Sequence, residues 1–396
     1  MAEHQARRIC RVSLSSSPDD ALPDWAAITA VVLGVMAFAV AQGLTYPLTS
    51  LVLEARGVPA ALIGLNAASF AVGLGAATLT IRRLMVAIPG DRLIVLALFG
   101  CSVSLAALWA GDSLAVWFVA RLLLGVSAGT VFIVSEAWLH SACPDAIRGR
   151  VSGLYGAGMC AGFAMGPLAI PLVGTKDGFA FAMLAVYVAM VAFLTAILGR
   201  RARTRPTPVP AGGLSHFVKA MPVLVIMVFA FGLADIAAIS GLPVYFVRTG
   251  HSESFAAIAV TAMALPTAVA QPLIGVLLDR FSRIRVAMAL GVIAGIGFLV
   301  LPLVSSEPLL LAVFAVMGAA VFGLSTCAQT LLGERARGGM LASGSAVFSL
   351  AYAVGSAGGS TLTGLTMEIS PYAAPIATGI VVLLLTTTFA LDRKPR

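Results

Sequence analysis

Twelve long apolar runs divide this sequence, at about 26–50, 59–81, 92–111, 114–140, 151–173, 179–199, 220–247, 253–277, 286–305, 308–332, 341–366 and 372–391. A helix needs roughly 20 consecutive apolar residues to cross the hydrocarbon of a bilayer, and each run is close to that length. The runs are continuous, whereas the strands of a membrane barrel alternate apolar and polar side chains. At 60% hydrophobic and 11% charged residues, with a mean hydropathy of +1.01, the chain has too little polar surface for a water-soluble body of 396 residues. The expectation is an all-α integral membrane protein with twelve transmembrane helices.

The net charge of +8 is explained by where the charge lies. Twenty-one of the 25 basic residues fall in the two termini and one alternating set of gaps, including Arg82, Arg83, Arg148, Arg150, Arg200, Arg201, Arg280, Arg283, Arg335 and Arg337. The other set of gaps holds only Arg56, Lys176 and Arg248, and Arg121 lies inside the fourth run. Such a bias marks the cytoplasmic side of a membrane protein. Both termini are therefore expected in the cytoplasm of a multi-pass protein of the cell membrane, the inner membrane in a Gram-negative cell. The basic residues then read as topology signals and lipid contacts, and no nucleic-acid partner is expected. The first run is too long for a signal peptide, and Asp19, Asp20 and Asp24 precede it. Cys10, Cys101, Cys143, Cys160 and Cys327 all avoid the outer loops, so no structural disulfide is expected.

The longest polar stretch after the N-terminus is "GRRARTRPTPVPAGGLSHFVK", whose Pro, Gly and Arg read as a flexible cytoplasmic linker. It divides the chain into a tail (1–25), a six-helix half (26–199), the linker (200–219), a second six-helix half (220–391) and a short tail (392–396). The halves repeat weakly. An offset of 193 places Phe38 on Phe231, Gln42 on Asp235 and Gly57 on Gly250, and an offset of 189 places "DAIRGR" on "ERARGG" and Gly166 on Gly355. Two pseudo-symmetric six-helix halves about a central axis form a transporter plan, with the solute site between them near mid-membrane.

Between the eighth and ninth runs lies "GVLLDRFSRIR". Its Gly275, Leu277, Asp279, Arg280, Arg283 and Arg285 resemble the loop signature of the major facilitator superfamily. The resemblance extends over the whole chain: twelve spans, cytoplasmic termini and a long central loop. "RLLLG" (121–125) is similar to the superfamily's Arg-x-x-x-Gly element. "SEAWLHSACPDAIRGR", "LPVYFVRTG" and "GLTYPLTSLVLEARG" resemble the YcaD-type branch of bacterial members. Gly153, Gly162, Gly166 and Pro167 resemble a drug–proton antiporter signature whose final Gly-Gly is replaced by Ile170 and Pro171. The resemblance implies a cytoplasmic gate built from Gly275, Asp279, Arg280, Arg283, Glu136, Arg148 and Arg150. In it Gly275 permits close helix packing, and Asp279 faces the N-terminus of the eleventh helix. The first half departs from the signature, with Arg82 in "TIRRLMVAIPGDR" where the acid is wanted.

Ionisable residues at membrane depth are costly and mark function. Asp235, fifteen residues into the seventh run, is the candidate for solute binding and reversible protonation. Arg121 can bind an anionic solute group or pair with Asp235. Phe38, Gln42, Tyr46 and Thr49 share a helix face, and Phe231 and Asp235 repeat its start. The expected solute cavity is thus lined by Phe38, Gln42, Tyr46, Arg121, Phe231, Asp235, Gln271 and Tyr352. No phosphate-binding loop, metal-ligand cluster or nucleophile with its base occurs, so no cofactor, metal or enzymatic activity is expected. The expectation is a monomeric secondary transporter for a small amphipathic organic solute, with protons as the candidate coupling ion. Uptake of a nutrient or vitamin such as riboflavin is favoured over proton-coupled export of a drug or metabolite. A non-transporting membrane sensor or scaffold is the alternative of another class.

Overall fold

A lipid-embedded backbone can satisfy its own N–H and C=O groups only inside helices or closed barrels, and every long element among the described residues is helical. The computed structural model describes residues 23–175, 178–206, 213–337 and 339–392. The N-terminal tail to residue 22, residues 393–396 and the middle of the linker, 207–212, lie outside the described residues.

The first six membrane helices are α1 (Trp25–Ala55), α2 (Ala60–Ala87), α3 (Gly90–Ala110), α4 (Leu114–Ala142), α5 (Asp145–Met165) and α6 (Phe179–Gly199). The second six are α7 (Pro222–Ile236), α8 (Glu253–Ala264 and Thr267–Arg280), α9 (Arg283–Val300), α10 (Glu307–Arg335), α11 (Gly339–Ile369) and α12 (Ala373–Thr387). Among the described residues eleven helical spans are long and apolar enough to cross a membrane. The 31-residue α11, rich in Gly, Ser and Thr, supplies the twelfth crossing.

Several runs are broken inside the membrane. Pro167 and Pro171 turn the end of α5 into a 3-10 turn, Gly166–Ala169, followed by Ile170–Val173. Directly after Asp235 and Ile236, α7 opens into a π-helical turn, Ala237–Gly241, and resumes as Leu242–Arg248. Such π turns concentrate at functional sites. The linker is more structured than its composition implies. Leu214–Ala220 is helical, and residues 203–204 are tied to the start of α1. There Asp24 accepts hydrogen bonds from the backbone N–H groups of Arg203 (2.6 Å) and Thr204 (2.7 Å) and from the Thr204 hydroxyl (2.9 Å).

The duplication is visible atom by atom. In the first half, Gly125 of α4 packs against the Phe70 carbonyl of α2, leaving no space for a Cβ. In the second half, Gly318 of α10 does the same against the Met263 carbonyl of α8. Gly162 of α5 and Gly166 of the 3-10 turn after it press on the Met36 and Val40 carbonyls of α1, and Gly355 and Gly359 of α11 press on the Phe229 and Leu233 carbonyls of α7. Every pair is offset by 193 residues. The repeat register is therefore a single offset of 193 through both halves, and Gly166 corresponds to Gly359. The 189 offset expected for Gly166 and Gly355 is corrected by these contacts. Gly57 and Gly250, matched by the same offset, both end their helices with left-handed φ of 71° and 94°, which glycine adopts without steric cost.

The halves meet where α2 crosses α11, and where α8 touches α1, α5 and the 3-10 turn that follows α5. Gly64 of α2 lies against Ser360 and Gly364 of α11, again with no room for a Cβ. The outward sides of α3 and α6 carry exposed Leu96, Val103, Val186, Met190 and Phe193, as a hydrocarbon surrounding requires.

Candidate functional site

Strands of polarity thread an otherwise apolar bundle, and they converge on one cavity. It has a volume of about 570 Å³, within the range of small-molecule sites. It is walled by α1, α2, α4, α5, α7, α8, α10 and α11. Its deep end holds Gln42, Tyr46, Phe231, Asp235 and Tyr352. From there it runs toward the ends of α4 and α10 and the start of α11, past Glu136, Gly333, Leu341 and Ser345. This is the terminal face, the one on which α1 begins and the described chain ends, because Asp24 bonds to the end of α4 and to the linker, and Arg335 pairs with Asp392 at 2.7 Å.

Of the eight residues expected in the cavity, the structure brings five together: Gln42, Tyr46, Phe231, Asp235 and Tyr352. Three stand outside the lining. Phe38 is turned onto Phe132, edge to face at 5.4 Å. Gln271 is hydrogen-bonded by the Thr326 hydroxyl of α10. Arg121 lies behind Tyr46 and Phe70, its guanidinium 5.8 Å and 4.8 Å from the two ring centroids. Thr49 turns its hydroxyl back to the Thr45 carbonyl.

The deep end is built symmetrically and charged asymmetrically. At the 193 offset Gln42 corresponds to Asp235, and Met159 to Tyr352, and all four line the cavity. The second half thus has an acid and a phenol where the first has an amide and a thioether. The Tyr352 hydroxyl donates to Asp235 Oδ2 at 2.8 Å, while Oδ1 has no partner among the described residues. A buried carboxylate with one free oxygen carries a large desolvation cost, which a proton or a hydrogen-bonding solute relieves. Seven rings, from Tyr46, Phe132, Phe163, Phe231, Phe322, Phe348 and Tyr352, supply apolar surface. Among the described residues that line the cavity, Glu136 and Asp235 are the only charged ones.

Arg121 forms no ion pair with Asp235 in this arrangement. Its Nε and Nη1 lack hydrogen-bond partners among the described residues, and the residue is 1% exposed. The two ring faces stabilise the cation by up to about 2 kcal/mol each when desolvated.

The expected gate on the terminal face is not assembled. The close helix contact at Gly275 is absent, with open space where a Cβ would stand. Asp279, Arg280 and Arg285 are exposed, and Asp279 makes no ion pair among the described residues. The segment Thr267–Arg280 packs on α10 and α9 and touches α5. Arg283 instead pairs with Glu334 of α10 at 2.6 Å. Glu136 stands exposed at the cavity mouth, Arg150 is also exposed, and the Arg148 side chain lies outside the described residues. The reason is mechanical: the cavity opens on this face, so the helix ends that would meet there are held apart.

The closing contacts lie on the opposite face. Glu54, near the end of α1, accepts two hydrogen bonds from Arg248, Nε to Oε1 at 2.8 Å and Nη2 to Oε2 at 2.9 Å. Ser50 and Ser240 are hydrogen-bonded at 2.9 Å one turn deeper. Glu368 of α11 accepts from the Ala61 N–H of α2 at 2.9 Å. The sequence marked none of these as a contact that closes a face. One signal was present, since Glu54 and Arg248 stand just before the repeat-matched Gly57 and Gly250.

Comparison with known proteins agrees with this architecture. The MFS-type transporter YfkF of Bacillus subtilis (strain 168) is 25% identical over 340 residues, covering 83% of this chain and 85% of YfkF. A crystal structure of the nucleoside transporter NupG superposes with a TM-score of 0.75 at 12% identity, over 94% of this chain and 100% of that one. A bacterial homologue of the human lysosomal transporter Spinster, in an inward-facing, unoccupied conformation, gives 0.73 at 16% identity, over 93% and 98%. The sequence profile of the Major Facilitator Superfamily matches residues 31–258 and 224–396, and this multi-pass membrane chain belongs to that superfamily of transporters.

Proposed function

We propose that the protein moves a small amphipathic organic solute across the cell membrane by alternating access, and that Asp235 binds the solute or the coupling proton. The observation that carries this reading is the free Asp235 Oδ1 at the deep end of an aromatic cavity that is open on one face and sealed on the other. The basic residues of the terminal face make it the cytoplasmic one, so the arrangement is inward-facing, and the cell membrane is the inner membrane in a Gram-negative cell. The halves then rock about the deep site. The Glu54–Arg248 latch opens as the helix ends around Gly275, Asp279 and Glu136 close.

The lining favours a solute with a flat apolar body and a few hydrogen-bonding groups, taken up as a nutrient of the vitamin kind, with riboflavin as one example. NupG is described as a nucleoside transporter, but a likeness at this identity supports the fold alone, so the solute class rests on the lining. Each chain holds a complete cavity, which supports function as a monomer.

The test is uptake of radiolabelled solutes into proteoliposomes under an imposed proton gradient. Candidate solutes come from a melting-temperature screen, since a ligand of the folded state raises that temperature. Uptake that collapses with the gradient and in Asp235→Asn supports the reading. Accumulation of lipophilic drugs driven outward would instead establish export. Binding without any flux would favour a sensor.

A further inference from the structure

We propose that Arg121, Asn66 and Tyr46 form an oxyanion subsite in the first half, and that the solute carries a carboxylate which this subsite takes. The proposal rests on the transporter reading and narrows its substrate class.

Three observations carry it. The first is unmet hydrogen-bonding capacity. Among the described residues Arg121 Nε and Nη1 lack partners, and so do both amide atoms of Asn66, which is 0% exposed. Buried polar groups are almost always paired, so two such groups left open on helices that pack together are exceptions that need a cause. Their shared depth follows from helix register. Gly125 of α4 packs on the Phe70 carbonyl of α2. Arg121 and Asn66 each stand four residues before that contact on helices running the same way, one turn nearer the sealed face.

The second observation is the repeat. At the 193 offset Tyr46, Asn66 and Arg121 correspond to Ile239, Ala259 and Phe314. The same helix crossing is thus built in the second half from an entirely apolar layer, with Phe314 fully buried. Packing does not require the polar layer, and the first half keeps a desolvated guanidinium where a phenyl ring suffices.

The third is access. Tyr46 lines the cavity and also stands against the guanidinium. A single ring therefore separates Arg121 from the solute path. A guanidinium fork beside an amide N–H matches the oxygens of a carboxylate, and one fixed positive charge suits one negative charge. With Asp235 on the opposite half offering an acceptor, the two ends of the site differ in sign. Riboflavin has no carboxylate, so this narrows the solute to amphipathic organic acids.

The experiment uses the purified full chain in detergent at neutral pH. Melting temperature is measured against aromatic monocarboxylates and the matching uncharged amides. The expected result is stabilisation by at least one carboxylate and by none of the amides. That stabilisation should weaken by roughly tenfold or more in apparent affinity in Arg121→Gln and in Asn66→Ala. A triple variant that copies the other half, Tyr46→Ile, Asn66→Ala and Arg121→Phe, should keep its ligand-free melting temperature while losing the response. Equal stabilisation by the amides would overturn the oxyanion subsite and leave the transporter reading standing. So would a carboxylate response that survives Arg121→Gln. A panel with no responding carboxylate overturns the subsite as well, and flux assays with other solutes then decide the transporter reading separately.

Discussion

Glu54 and Arg248 face each other across the sealed side of the cavity, joined in the two-bonded fork of a guanidinium on a carboxylate, 2.8 and 2.9 Å. One residue ends the first helix and the other ends the seventh, so the pair ties one half to the other. Its geometry is favourable for an ion pair that is partly open to solvent.

Breaking this pair should move the conformational balance without unfolding the protein. Glu54→Gln should shift it toward the outward-open form by roughly 0.5–1 kcal/mol. Spin labels on the outer ends of α1 and α7 would report it as a growing long-distance population. An unchanged distance distribution would remove the pair from the gate.

Two glycines separate the fold from its cycle. Gly125→Ala places a methyl against the Phe70 carbonyl inside one half, and overpacking of that kind costs about 1–3 kcal/mol. Its melting temperature should fall. Gly64→Ala places a methyl against Ser360 and Gly364 across the two halves. It should disfavour the inward-facing form, seen as increased labelling of an outer-face cysteine, with little loss of stability.

Asp235→Asn keeps the size of the side chain and its ability to accept from Tyr352, but it cannot exchange a proton. Uptake into proteoliposomes should lose its dependence on the proton gradient, while expression and melting temperature stay near wild type. Tyr352→Phe removes the 2.8 Å bond and should lower uptake less than the Asp235 change does. Gradient-driven uptake surviving in Asp235→Asn would exclude this acid from coupling.

Asp24 lies at the membrane edge, outside the spans. Burial acts to raise its pKa, but hydrogen bonds from Thr204, Ala27 and Arg203 outweigh it, and the net shift is downward. A depressed carboxylate stabilises the folded state above its unfolded value of about 3.9, and that contribution disappears as pH falls through the lower folded value. The melting temperature should therefore drop in that acid range. Asp24→Ala should cost about 1–3 kcal/mol at neutral pH and flatten the acid response. An equally steep acid response in Asp24→Ala would show that other groups cause it.

The twelve crossings, the bias of basic residues to one alternating set of gaps and the presence of an acid at membrane depth were all legible in the sequence. The bilayer makes them so, because it demands long apolar runs, sorts charge by side and penalises any carboxyl it buries. Duplication was legible too, although the 193 register emerged only once Gly125 and Gly318, or Gly166 and Gly359, were seen pressing on matched carbonyls. The tertiary structure decided what depends on contact between distant segments. Arg121 reads as a cavity residue from its depth, yet its rotation on α4 puts it behind Tyr46. Glu54 and Arg248 stand 194 residues apart in the chain, and only the packing of one half against the other makes them a pair. Gly275 and Asp279 carry a signature that is plain in the sequence, but the face on which they stand is open here. A sequence encodes every state of a transporter at once, and contacts across the two halves exist only in one state at a time.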